Sequence, residues 1–273
     1  MHDYHAHSVY SDGSNLRRML DAATEAGLDG VGFADHCTLT RDPQWRRQRN
    51  RYARNFDRTY DRRRAVLSSL RADYDVDIYD AVEVDYEPGL EERIRSFLDE
   101  AGFDYALGSV HYVGEYSVFS FQDFSTPDTP SPEVMVADYY ETVASLVESE
   151  LFNVAAHVDV VEAHPQLTGL RTPDQIERVA DAFTRSRTIP EVNAKRVGRS
   201  GGPDFHPSGD LLDALVDRGV PFTLGTDAHD PSEYDVRSNA LSRFCAAHDL
   251  EVVSPFDVPP RRQSADERPQ AAE

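Results

Sequence analysis

Residues 3–13, DYHAHSVYSDG, place His5 and His7 two positions apart, followed at once by Ser11-Asp12-Gly13. In an extended strand, residues two apart share a face, so this stretch offers two imidazoles side by side. Further candidates recur along the chain. His36 ends GVGFADH (30–36), Glu83 lies in DIYDAVEVDY (77–86) and His111 follows the apolar run in YALGSVHYV (105–113). His157 lies in FNVAAHVDV (152–160), and Asp227 and His229 lie in VPFTLGTDAHD (220–230). Together with Asp12 these are nitrogen and oxygen donors without a thiolate. One ion that keeps an open position needs three or four protein ligands, so a set this large suits two or three divalent ions with a carboxylate between them. Imidazole plus carboxylate suits Zn, Mn or Fe. Clustered ions of this kind clamp a phosphate ester and acidify a bridging water, giving hydroxide for in-line attack. Glu83 inside an apolar strand calls for a cationic partner, because an unpaired buried carboxylate is costly. Competing roles stay open here: Asp12 as a turn residue before Gly13, and His111 and His157 as satisfied core histidines.

The elements that would hold these residues follow a rhythm. Apolar runs of strand length end in a polar group, and an amphipathic stretch follows: NLRRMLDAATEAGL (15–28), LEERIRSFLDEAGF (90–103), PEVMVADYYETVASLVESE (132–150), TPDQIERVADAFTRS (172–186) and SGDLLDALVDRGV (208–220). Alternating strands and helices imply parallel βαβ units. Roughly seven such units predict an α/β fold, a distorted (β/α)7 TIM-like barrel with its metal site at the C-terminal ends of the strands. IPEVNAK (189–195) adds Glu191 and Asn193 at the same end, as ligand supports or substrate contacts, and Asp35 reads as a partner orienting a ligand. The aromatic stretch 114–131 is expected as a long loop shaping the pocket. The barrel is expected over residues 1–254, with a disordered Pro-rich tail from 255 to 273. His2, His164 and His248 read as bystanders, and Trp45 as packing or part of a lid.

Net charge is −21, from 49 acidic and 28 basic residues, and Lys195 is the only lysine. Such a surface repels phosphate backbones and argues against nucleic acid as a partner. It suits a cytoplasm of very high salt, where self-repulsion is screened. Segment 41–64, RDPQWRRQRNRYARNFDRTYDRRR, reverses the sign; it reads either as a solvated helix face or as a cationic lid drawing an anionic substrate. No apolar run reaches membrane-spanning length. Cys37 and Cys245 offer no disulfide framework, so free thiols in the cytoplasm are expected. Oligomeric state is not readable.

The phrases DYHAHSVYSDG, FADH, VEVDY, GSVHYV, AAHVDVV, EVN and GTDAHD, in this order, resemble the polymerase-and-histidinol-phosphatase (PHP) superfamily, nearest to its monofunctional histidinol-phosphatase branch, over residues 1 to about 240. The resemblance implies a trinuclear centre. His5, His7, Glu83 and Asp227 would hold the first ion, Glu83, His111 and His157 the second, and Asp12, His36 and His229 the third. It also implies hydrolysis of a phosphate monoester, L-histidinol phosphate in that branch, by a metal-bridging hydroxide, with Glu83 and Asp227 at the reacting centre. An arginine gripping the phosphate would be Arg196 or Arg199. His206 stands where relatives carry tyrosine, as a general acid or substrate contact. Alternatives are another substrate at the same centre (nucleotide, cyclic diester or polynucleotide end) or a metal-binding regulatory domain without catalysis.

Overall fold

The computed structural model describes residues 1–40, 47, 49–126 and 129–257. Nine strands and seven helices are assigned among them. Strands β1 (His2–Ala6), β2 (Gly30–Thr38), β3 (Asp77–Asp85), β4 (Tyr105–Ser109), β7 (Val154–Ala155), β8 (Ile189–Asn193) and β9 (Thr223–Gly225) form one parallel sheet in chain order. Strand β2 is buried along its whole length, as expected where helices cover one face and a barrel interior lies on the other. The sheet nearly closes on itself. Ala6 bridges to Ala228, the His7 amide donates to the Ala228 carbonyl at 2.8 Å, and the Asp227 amide donates to the His5 carbonyl at 2.7 Å. Asp3 reinforces this seam: its carboxylate accepts from the Thr226 amide at 2.8 Å and from the Thr226 hydroxyl at 2.6 Å.

The helices are α1 (Leu16–Glu25), α2 (Tyr60–Leu70), α3 (Glu91–Ala101), α4 (Pro132–Glu148), α5 (Pro173–Arg185), α6 (Gly209–Asp217) and α7 (Tyr234–His248). Local sequence explains their starts. Asn15 accepts from the Arg17 amide ahead of α1, and Thr172 with Gln175 makes a reciprocal capping box around Pro173 in α5. Leu16, Met19, Leu20 and Ala23 bury one face of α1, and Ile176, Val179, Ala180 and Phe183 one face of α5. The five helices expected from periodicity are present. Helices α2 and α7 are additions: the first begins in the arginine-rich segment and runs past it, and the second buries Arg237 and Ser238 beside its few apolar residues.

Where it is described, segment 41–64 divides its cations: Arg47, Arg51, Arg58 and Arg62 are exposed, while others pair with acids elsewhere in the chain. Arg49 is buried and donates to the Thr38 carbonyl at 2.8 Å. Arg63 is fully buried, pairs with Asp35 at 2.7 Å and Asp80 at 2.6 Å, and stacks on the Phe56 ring at 4.1 Å. Inward arginines serve buried carboxylates, which costs less than leaving those acids unpaired. Trp45 lies outside the described residues. Within 114–131 the chain is not all loop: β5 (Tyr112–Val113) and β6 (Tyr116–Ser117) form an antiparallel hairpin. The packed chain also runs past Pro255. Phe256 packs on Tyr79 at 5.0 Å and Tyr105 at 5.6 Å, and strapping bonds join Phe222 to Glu251 and Val253. Residues 258–273 of the expected tail lie outside the described residues. No helix among the described residues is long and apolar enough to cross a membrane.

Candidate metal centre

The C-terminal strand ends converge on Glu83. Strand β1 delivers His5 and, one step past its end, His7; both are fully buried, with their Nε2 atoms 3.1 Å apart. Parallel register sets His36 of β2 directly against Glu83 of β3. His111 and His157 follow β4 and β7, and Asp227 and His229 follow β9. The two Glu83 oxygens face different imidazoles. Oε1 lies 3.0 Å from His157 and 3.3 Å from His111; Oε2 lies 2.5 Å from His36, 3.6 Å from His5 and 3.7 Å from His7. Asp227 Oδ1 is 3.3 Å from His7 and 3.4 Å from His229. Asp12 Oδ1 lies 3.3 Å from His229 and 3.6 Å from His36, with its carboxylate half-exposed. All nine expected ligands thus gather in one cluster. Donor atoms of seven of them fall into three overlapping groups: His7, Asp12, His36 and His229; His5, His7 and Glu83; His36, Glu83 and His111; His157 and Asp227 lie against these through Glu83 and His7.

Two ligand positions carry uncommon backbone. His157 (φ 32°) and Asp227 (φ 51°) are left-handed though neither is glycine, a conformation that surrounding structure must hold in place. Strand β9 crosses close beneath the cluster. A Cβ at Gly225 would fall on the Glu191 carboxylate and press on His5, so only glycine fits there.

Three of the imidazoles, His5, His7 and His111, are oriented from behind. His5 Nδ1 donates to Glu191 at 2.7 Å; the other Glu191 oxygen accepts from the His157 amide and from Asn193 Nδ2, both at 3.0 Å. His111 Nδ1 lies 2.5 Å from Asp85. Asp35 accepts from the hydroxyls of Ser8 and Ser11 at 2.6 Å, and Ser11 lies 3.4 Å from His7 Nδ1. Acids behind histidines set the tautomer and leave the far nitrogen bare. Asp35, Glu191 and Asn193 therefore act where expected, as supports.

Electrostatics favour a cation. Burial alone would raise the Glu83 carboxyl, yet His36, His111 and His157 hold it well below the usual range. Asp227 is likewise held well down, with Lys195 and His5 outweighing burial. His7 is kept neutral by burial and by repulsion from His229 and His36, and burial pushes His111 down to about 4. His5 runs the other way: burial lowers it, yet Glu191 and Asp227 raise it well above the ordinary imidazole range, so a metal ion there would displace a proton that His7 and His111 do not carry. His36 Nδ1 and Glu83 Oε2 supply the test of fit: both are buried without a hydrogen-bond partner although they lie 2.5 Å apart. A shared divalent cation is the partner this donor set can accept.

The expected arginines do not point into the cluster. Arg196 donates to the Ser200 and Gly201 carbonyls, and Arg199 pairs with Glu233 at 3.5 Å. His206 is buried with Nδ1 2.5 Å from Asp159, and its backbone pairs with Asn193. Three groups beside the cluster escaped the sequence reading. Asp85 sits two residues from Glu83, the same-face interval that picked out His5 and His7, so the signal was present. Arg54 Nη1 lies 3.0 Å from His111 and 3.3 Å from Asp85, and no spacing rule reaches it. Lys195 Nζ donates to Asp227 Oδ1 at 2.9 Å; being the chain's single lysine was its signal. Of the expected bystanders, His2 meets the Tyr79 hydroxyl and His248 packs on Phe244, whereas His164 lies against Phe121 in a small cavity that Lys195 also lines. A cavity of about 700 Å³, lined by Arg51, Arg54, Tyr112, Phe119 and Gln122, opens onto Asp12.

The PHP domain family model matches residues 3–195. The chain belongs to the PHP family. Among curated PHP relatives, "Probable histidinol-phosphatase" of Deinococcus radiodurans is 28% identical over 81% of this chain and 82% of its own. "Histidinol-phosphatase" of Lactococcus lactis is 23% identical over 97% of this chain and 98% of its own. The crystal structure of a Lactococcus lactis histidinol phosphate phosphatase, complexed with zinc, L-histidinol and phosphate, superposes with a TM-score of 0.68 at 20% identity, covering 95% of this chain and 98% of that one. A Listeria monocytogenes structure gives a TM-score of 0.72 at 19% identity, covering 85% and 97%. At these identities the two structures bear on the fold, and the PHP barrel is the fold found here.

Proposed function

We propose that this PHP protein is a histidinol-phosphatase, hydrolysing L-histidinol phosphate to L-histidinol and phosphate in histidine biosynthesis, with two or three ions of Zn, Mn or Fe. The observation that carries the reading is the Glu83 carboxylate ringed by five imidazoles, in a chain that matches histidinol-phosphatases over nearly its whole length. His5, His7, His36, His111, His157, His229, Asp12, Glu83 and Asp227 would hold the ions. Bound there, divalent metals supply Lewis acidity toward phosphate oxygens and lower the pKa of a water molecule.

The chain's own part is positioning. Glu191 fixes the His5 ring and the His157 backbone together, so two strands present their donors as one unit. Asp85 aims His111, and Asp35 with Ser11 steadies His7. Phe119, 5.4 Å from the His111 ring, narrows the entrance and sheds water from it. Two unpaired cysteines suit the cytoplasm in which we place the enzyme.

Phosphate release tests the reading, in high-salt buffer with added Mn²⁺ or Zn²⁺ and Asp227→Ala as the blank. L-histidinol phosphate should be strongly preferred over an aryl phosphate and over nucleotides, and the blank should be inactive. Turnover of nucleotides or aryl phosphate without turnover of L-histidinol phosphate would overturn the substrate and leave a phosphoesterase.

A further inference from the structure

Lys195 stands out twice. Every other basic residue of this chain is arginine, yet one position at the mouth of the cluster keeps lysine. It lies just past β8, with its backbone amide anchored on Asn193 Oδ1 at 2.9 Å. Its Nζ is 2.9 Å from Asp227 Oδ1 and 3.4 Å from His229 Nε2. The side chain is 29% exposed, so the ammonium is neither buried as a structural pair nor loose in solvent. It lines a cavity of about 200 Å³ with Phe121, His164, Arg196 and Arg199. Both of those arginines are engaged elsewhere, Arg196 on backbone carbonyls and Arg199 on Glu233. Arg54, the cation on the opposite side, is held by Asp85.

Charge balance says what such an ammonium is for. Three carboxylates, Asp12, Glu83 and Asp227, serve the cluster, and two or three divalent ions would outweigh them. Asp227 already pairs with Lys195, but a divalent ion would draw on the same carboxylate, and the ammonium is then best balanced by a further anion beside it. An ammonium is also compact, a point charge with three donors, where a guanidinium is a wide planar fork.

We propose that Lys195 binds the phosphate group of the substrate through Nζ, in the place that Arg196 or Arg199 was expected to fill. The proposal rests on the phosphatase reading. Lys195→Met and Lys195→Arg are compared with the wild-type, metal-loaded protein in high salt. Metal content is measured by plasma mass spectrometry, the fold by circular dichroism, and inorganic phosphate binding by titration calorimetry. Lys195→Met should keep its metals and fold but bind phosphate about tenfold more weakly or worse, the loss expected for one charge-assisted hydrogen bond. Its KM for L-histidinol phosphate should rise in parallel, and Lys195→Arg should recover part of the phosphate affinity. Unchanged phosphate affinity in Lys195→Met overturns the proposal. So does metal loss with unaltered phosphate affinity per loaded site, which would make Lys195 a support of Asp227. Lys195-dependent phosphate binding in a wild type that ignores L-histidinol phosphate would sink the substrate reading alone.

Discussion

At the scale of single residues, the centre depends on acids that stand behind the donor positions and hold them. Glu191 is the clearest case. It is fully buried and joins β1, β7 and β8 through His5, the His157 amide and Asn193. Glu191→Gln keeps the shape but replaces one acceptor by a donor, so His5 loses its fixed tautomer. Metal affinity should fall about 10- to 100-fold, read by competition with a chromogenic chelator, with the far-ultraviolet dichroism unchanged. An affinity within twofold of wild type would show that His5 is oriented by packing alone. The ligands themselves were legible in the sequence because each follows an apolar strand run. Lys195 and Arg54 were not, since what makes them matter is a distance through space to Asp227 and to His111. Arg196 and Arg199 line the same small cavity as Lys195, but their guanidinium groups rest on the Ser200 and Gly201 carbonyls and on Glu233.

At the scale of elements, alternation and capping signals sufficed for the strands and for five helices. Helix α2 was obscured because its buried face carries Arg63 among Leu67 and Leu70, and a pattern search for apolar residues passes over it. That arginine holds Asp35 and Asp80 in the fully buried space between α2 and the sheet. Arg63→Met would leave those carboxylates without their main counter-charge. Stability should drop by about 3–5 kcal/mol, measured by urea unfolding in high salt, and Arg63→Lys should recover only part. A loss below about 1 kcal/mol would mean that Arg64, 2.7 Å from Asp80, carries the pairing instead. Since Asp35 also braces Ser8 and Ser11, the damage should reach His7 and lower metal occupancy.

For the whole molecule, charge is the dominant property. The arginine-rich segment offsets the acidic surface only in part: Arg47, Arg51, Arg58 and Arg62 are exposed, whereas Arg49, Arg54 and Arg63 are spent on internal partners. A net charge of −21 is left to repel itself. Raising salt from about 0.1 M to 1 M shortens the screening length from roughly 10 Å to 3 Å. The thermal midpoint should therefore climb steeply over that range, read by calorimetry with metals held constant. A midpoint independent of salt would remove the case for a high-salt habitat.

The seam between β1 and β9 has a kinetic meaning. Asp3 and Thr226, or His5 and Asp227, meet across nearly the full length of the chain. The seam cannot form until the residues from Asp3 to Asp227 have all been made. Closing so long a loop is an entropic burden, and ions shared by its two ends would act as its clasp. Unfolding through this seam would have to release them first. Stripping metal with a chelator should then speed unfolding in a denaturant jump far more than it slows refolding; equal effects on both rates would mean that the ions arrive before the ends meet.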